Sequence, residues 1–196
     1  MLLKVTVPAT ADGIACALVA AASQADVNLQ FVKEGSAVAL EVDGRVLRDA
    51  VAICRHFALA SGSSHLLPSK LPQSAVHDSL LELVRTSSQS ALPLEQLEKT
   101  LKASLGPFLL GIRNTILKPN ICYCVATFLP GMHFLSSGSK PTCADLVWYS
   151  RILSQKVQQP FLGKWKQQLA SQAIVKAVLE AIGVSSSLHL KLFLFY

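Results

Sequence analysis

Ser139-Lys140-Pro141-Thr142-Cys143-Ala144-Asp145-Leu146-Val147-Trp148 marks the start of a helix, and the rest of the chain can be placed around it. Thr142 and Asp145 are three residues apart. The Thr142 hydroxyl can therefore accept from the Asp145 amide while the Asp145 carboxylate returns to the N–H of the cap residue. Asp is shorter than the usual Glu of such a capping box, but the geometry is close, and the spacing predicts a helix over 142–153. A lone carboxylate at a buried helix start also invites a general acid or base reading. Capping is the reading adopted, with its loss costing about 0.5–2 kcal/mol of stability.

Helical periodicity continues on both sides of this stretch. Upstream, helices are expected over 74–87 and from Pro93 through Leu105; downstream, one runs from Pro160 to about Ile182 with a break near Ser171. The first 65 residues read differently. Residues 2–7 alternate as a short strand stopped by Pro8, and 13–23 form an Ala- and Leu-rich helix with Asp12 as the expected cap. Residues 27–32 and 37–42 have a period of two, and Asp43-Gly44 folds the second of these back onto 45–47 as a hairpin. A helix from Asp49 to about Ser61 carries an apolar stripe of Val51, Ile53, Cys54, Phe57 and Ala58. The Ser-, Pro- and Gly-rich stretch 62–73 reads as a linker. The expected organisation is an α/β domain over 1–67 and a helical domain over 68–187.

Two segments break the pattern. Residues 112–138 contain Pro119, Pro130 and Gly131, no acidic residue and no sustained period, and 188–196 end the chain as an apolar alternation. The first reads as an insertion and the second as a tail.

The 196 residues are 51% hydrophobic and 15% charged, with mean hydropathy +0.42, which excludes a disordered chain and requires a buried core. No run reaches the 18–20 apolar residues of a membrane span, and the first residues lack a secretory pattern, so the expected location is cytoplasmic. Five cysteines in no framework spacing, Cys16, Cys54, Cys122, Cys124 and Cys143, suit a reducing compartment and read as buried thiols. The net charge of +6 is scattered, and Arg113, Lys118 and Lys191 of the two irregular segments supply half of it. Lys99, Lys102, Lys164, Lys166 and Lys176 read as a solvated face in preference to a weak tRNA-facing surface. Cys122-x-Cys124 with His133 lacks the second pair of ligands that structural zinc needs, so no metal is expected. Cys54 and His56 are neighbours on one helix that point in different directions, which favours packing over thiol catalysis.

An α/β domain, a linker and a helical domain whose central helix begins Thr-x-x-Asp together resemble the glutathione-transferase-like fold. Ala52-Ile53-Cys54-Arg55-His56-Phe57 is similar to the helix that closes the family's thioredoxin-like N-terminal domain, with His56 where Tyr is frequent. Phe108-Leu109-Leu110-Gly111 and Ser139 to Leu146 resemble one family string, rejoined when 112–138 is removed.

The resemblance implies a glutathione site built from a cis-Pro, an acidic-Ser pair and a hydroxyl or thiol near the first strand. Here Val38 stands at the proline position, Asp49 keeps its acid but Ala50 replaces the Ser, and only Thr6 and Thr10 offer hydroxyls. On those departures the chain resembles the non-catalytic domains appended to eukaryotic aminoacyl-tRNA synthetases and multisynthetase factors. This likeness also rests on the short path from 27–31 to the hairpin and on Trp165 with Leu169. It implies no enzyme activity in this chain, no cofactor, and docking onto other such domains of synthetases or scaffold factors, with weak or indirect tRNA contact. Arg55, His56 and Trp165 are its candidate interface residues, and Trp148 belongs to the core. The alternatives are a glutathione-dependent transferase or peroxidase, and the equivalent domain of an elongation factor subunit.

Overall fold

The computed structural model describes residues 3–24, 27–32, 37–62, 65–69, 73–87, 92–101 and 140–183. The suspected insertion 112–138, the tail 188–196, the Phe108 to Gly111 half of the split string, and Cys122, Cys124 and His133 lie outside them. The chain has a mixed α/β N-terminal region and a larger all-α C-terminal region.

The N-terminal region runs β1 (Leu3–Pro8), α1 (Ala11–Ser23), β2 (Val27–Val32), β3 (Ala39–Val42), β4 (Arg45–Leu47) and α2 (Ala50–Ala60). Its four strands are ordered β2-β1-β3-β4. β1 pairs parallel with β2, Val5 opposite Leu29, and antiparallel with β3, Val5 opposite Leu40. Six residues separate β2 from β3, too short a path for a further crossover helix. The hairpin turns through Asp43 and Gly44, both at positive φ (48° and 74°), the backbone that an Asp-Gly pair adopts with little strain.

The helical region comprises α3 (Gln73–Thr86), α4 (94–101 in its described part), α5 (Cys143–Ile152), α6 (Pro160–Ser171) and α7 (Ala173–Ala181). The break expected near Ser171 falls at Gln172, whose extended backbone (φ −65°, ψ 131°) separates α6 from α7.

The core is built around α1, every residue of which from Gly13 to Ala20 is buried. A helix apolar on all sides has to be enclosed, and α1 is enclosed by β1, α2, α5 and α7. The helix cap expected at Asp12 is corrected to Thr10. Thr10 has extended backbone, and its Oγ1 accepts from the Gly13 amide at 3.3 Å. The physical reason lies in how closely α1 meets the strand: a Cβ on Gly13 would sit 2.0 Å from the Pro8 carbonyl oxygen. The chain must turn directly after Pro8, so the helix begins two residues before Asp12 could cap it.

α5 is the matching element of the helical region. Thr142 and Asp145 form a capping box in which Thr142 N–H donates to Asp145 Oδ2 at 2.8 Å and Asp145 N–H to Thr142 Oγ1 at 3.4 Å. The Thr142 hydroxyl also donates to Oδ2 at 2.7 Å, and Trp165 Nε1 of α6 donates to Oδ1 at 3.0 Å. The linker is anchored too, since Leu66 is fully buried and its carbonyl accepts from Cys143 N–H at 2.9 Å. No side chain of its own caps α6. Its first amides are taken by buried Glu98 of α4, with Leu162 N–H donating to Oε2 at 2.7 Å and Phe161 N–H to Oε1 at 3.3 Å.

Two stability predictions follow from these contacts. Gly13→Ala, which helix propensity alone would make stabilising by about 1 kcal/mol, is expected to lower stability by about 2–3 kcal/mol because the new methyl meets backbone; urea unfolding of both proteins reads the sign directly. Asp145→Ala strips acceptors from the Thr142 amide and the Trp165 indole, and its expected cost is about 2–4 kcal/mol, against about 0.5–2 kcal/mol for Thr142→Ala on the same urea titration.

Candidate functional site

The strand directions bring three connections to one edge of the sheet. β1, β2 and β4 all run toward it and β3 runs away from it. The β1–α1 turn, the entry to β3 and the β4–α2 turn therefore meet there, as do the N-termini of α1 and α2. Open sheets of this kind bind ligands beyond the carboxyl ends of their strands. Helix N-termini add unpaired amides and a partial positive charge that favour anions.

Thr10 is exposed at this edge, with its hydroxyl oxygen on the Gly13 amide. Thr6 is half-buried within β1, between the buried Val5 and Val7. Val38 is buried immediately before β3 and extends the register in which Ala39 faces Thr6. Asp49 caps α2, accepting from the Ala52 amide at 2.8 Å, and Ala50 is the first residue of that helix.

The helical region reaches this edge through two arginines. Arg85 of α3 bonds Asp49 Oδ2 at 2.8 Å, and Arg151 of α5 bonds Asp12 Oδ1 at 2.6 Å. Each of the two carboxylates at the helix starts is thus balanced by a guanidinium, leaving the amides to determine the local preference for negative charge. The Arg85 pair is half exposed on both sides and contributes little to stability, about 0–1 kcal/mol; its effect is to orient Asp49.

Arg55 is exposed and paired with Asp78 of α3, and half-buried His56 stands edge-on to the Phe57 ring at 6.0 Å. The placement of Trp165 at an interface is corrected: it is 2% exposed, turned inward by its bond to Asp145. The solvated-face reading of Lys166 is corrected as well. Its Nζ donates to the Leu153 and Gln155 carbonyls, both at 2.8 Å, where it caps the end of α5, and burial lowers its pKa to about 8. Lys99, Lys164 and Lys176 are exposed.

A second cluster lies on the inner side of the same helices. Cys16 of α1, Cys54 of α2 and Cys143 of α5 are free thiols and buried, with the Cys54 thiol donating to Cys16 Sγ at 3.8 Å. Cys143 and buried His77 of α3 lie in the same neighbourhood. The influence of Cys54, then of the neighbouring His77 and Arg55, holds the Cys143 thiol down to about 6 against its burial, while Cys143, Cys16 and burial push Cys54 well up. Among the described residues no group of His, Cys, Asp or Glu is arranged to hold a metal ion.

Sequence reasoning missed Arg85, Arg151 and this cluster. The cysteines sit at ordinary apolar positions of three separate helices, and nothing local distinguishes them from packing residues.

No family model matches the sequence, and no curated protein is significantly similar to it. Solved structures do match. A glutathione transferase from Methylococcus capsulatus superposes with TM-score 0.63 at 16% identity, over 94% of this chain and 100% of that one. A glutathione transferase homologue from Sulfitobacter with bound glutathione gives 0.59 at 13%, over 92% and 98%. One from Lodderomyces elongisporus with two glutathione molecules per subunit gives 0.60 at 16%, over 92% and 99%. Among the described residues no helix is long and apolar enough to cross a membrane.

These matches correct the expectation of a docking module with no enzymatic role. That reading rested on Val38 in place of a proline, Ala50 in place of a serine and the likeness to synthetase-appended domains, whereas these three structures, which share the fold along nearly their whole length, are glutathione transferases or homologues of them, two of them holding glutathione. Synthetases are not among these three structures. The chain has the glutathione-transferase-like fold.

Proposed function

We propose that this chain is a glutathione-dependent transferase that binds the tripeptide thiol at the sheet edge and presents its sulfur to a soluble electrophile. The reading is carried by the convergence of the α1 and α2 N-termini on the edge where β1, β2 and β4 end. It is supported by the glutathione held in the similarly folded Sulfitobacter and Lodderomyces proteins. The likeness to synthetase-appended members rests on sequence alone, on the short path from 27–31 to the hairpin, Ala52-Ile53-Cys54-Arg55 and the helix of Trp165, and would name only a branch of relatives.

The residues at the edge fit the chemistry of such a ligand in part. Glutathione carries two carboxylates, an ammonium and a thiol. The amides opening α2 suit the γ-glutamyl carboxylate, while Asp49 is already held by the Ala52 amide and Arg85. Thr10 accepts through its oxygen from Gly13, so its hydroxyl proton can be donated to a thiolate bound at the α1 N-terminus. There the helix dipole lowers the pKa of a thiol whose ordinary value is about 8.5. The sulfur then displaces a leaving group from the electrophile, forming the C–S bond and releasing the leaving anion and the thiol proton. Ala50 offers no hydroxyl to the carboxylate and Val38 alters the strand edge, so binding is expected to be weak.

The test is glutathione conjugation of 1-chloro-2,4-dinitrobenzene by the full chain. Turnover above the uncatalysed rate supports the assignment. Thr10→Ala is expected to lower kcat/KM about 10- to 100-fold with Thr10→Ser near wild type. Ala50→Ser, which restores a hydroxyl at the first turn of α2, is expected to lower the KM for glutathione about 3- to 10-fold. Absence of turnover in the wild type and in Ala50→Ser, together with no retention on immobilised glutathione, would overturn the assignment.

A further inference from the structure

The two edges of the four-stranded sheet are finished differently. β4, at one edge, has three residues, opens with Arg45 and is tied to β3 by the Asp43-Gly44 turn. A short strand carrying a charge is the usual protection of an exposed edge against further pairing. β2, at the other edge, has six residues, Val27-Asn28-Leu29-Gln30-Phe31-Val32, with no charge and no proline, and it pairs with β1 in unbroken register along its whole length. Among the described residues no strand pairs with its outer side, so alternate N–H and C=O groups of β2 point away from β1 without a ladder partner.

Side-chain cover is incomplete at the same edge. Leu29 is opposite Val5 and Phe31 opposite Val7, so Val27, Leu29 and Phe31 lie on the face of the sheet that carries these buried valines. Val27 and Leu29 are half-buried, and Phe31 is 43% exposed. Asn28 and Gln30, on the opposite face, are exposed. The edge therefore offers an unpaired strand with one apolar and one polar side, and what fits it is another strand of the same alternation.

The sequence supplies such a segment outside the described residues. In 188–195, Leu188, Leu190, Leu192 and Leu194 recur with a period of two, His189 and Lys191 alternate with them, and there is no proline or glycine. Laid along β2, the leucines extend the row of Val27, Leu29 and Phe31, and His189 and Lys191 fall on the side of Asn28 and Gln30. The segment is also within reach. α2 packs on α1 and over β3, whereas α7 packs on α1 and α6, which puts α7 on the flank of α1 nearer β2. Gly183, at φ 73°, ends α7, and the five residue steps from it to Leu188 extend to about 17 Å. That spans the ~10 Å diameter of a helix and the ~4.8 Å spacing of one further strand.

We propose that 188–195 adds to β2 as a fifth strand and closes the open edge of the sheet. A second copy of the chain offers its own β2 to the same edge, but a segment tethered through so few residues is held at an effective concentration on the order of millimolar and occupies the edge first. The pairing removes two hazards together, since an unpaired apolar alternation is as prone to associate as an unpaired edge. It stands independently of the glutathione assignment.

Amide hydrogen exchange of the isotopically labelled full chain, followed residue by residue by NMR, tests this. The β2 amides that do not bond to β1 are expected to be protected in the full chain and to exchange about 10- to 100-fold faster in a chain ending at Ser187, with β1 and β3 amides unchanged. Leu192→Pro in the full chain removes one ladder N–H from the segment and leaves the described core untouched, so it is expected to accelerate the same amides. Equal exchange of those amides in the full chain and in both variants would overturn the proposal. So would protection that falls on dilution of the full chain, which would assign the edge to a second copy.

Discussion

The Asp145 carboxylate is the contact on which the rest of the packing depends. It is fully buried, and it is held by the Thr142 amide and hydroxyl on its own helix and by the Trp165 indole across the interface with α6. A buried carboxylate is tolerated only when such donors replace water, so these bonds set both where α5 begins and how α6 lies on it. Trp148, one turn further along, donates from Nε1 to the Leu80 carbonyl at 3.0 Å and holds α3 in the same way. With its position set, α5 packs along α1, and α1 in turn fixes the orientation of its own N-terminus at the sheet edge. The candidate site is therefore placed by a contact in the other half of the molecule.

The parts of the fold that could be read in the sequence are those with local causes. The Asp43-Gly44 turn, the Asp49 cap and the Thr142–Asp145 box each involve residues within a few positions, and each has the backbone its residue types favour. The helix break after Ser171 follows the same logic. Thr10 and Asp12 are both good cap residues for α1, and the choice between them is made by contact of Gly13 with Pro8. That constraint is tertiary and leaves only an unexplained glycine in the sequence. Glu98 capping α6 from another helix is invisible for the same reason.

The functional misreading has a related cause. Val38 departs from a proline and Ala50 from a serine of the family pattern, and residue types are what a motif comparison sees. Amides at helix starts carry no residue signature, yet they supply much of the attraction for an anion. Trp165 errs in the opposite direction, since the resemblance places it at an interface. In the structure its N–H is committed to Asp145, and the adjacent Lys166 closes the end of α5.

Helices α1 and α2 thus have two chemically distinct sides: amides and Thr10 facing the edge, and Cys16 and Cys54 facing inward. The Cys16 bond to the Ala50 carbonyl joins the two, so the inner sulfurs and the first turn of α2 share a backbone contact. The claim on which this account stands or falls is that the outward edge is where a tripeptide thiol lands. Titrating isotopically labelled protein with glutathione and following backbone amide resonances by NMR tests it most directly. Shifts concentrated in residues 9–13, 37–39 and 49–52 are predicted; saturating glutathione that leaves those amides unmoved, or moves only amides of α3 to α7, would contradict it.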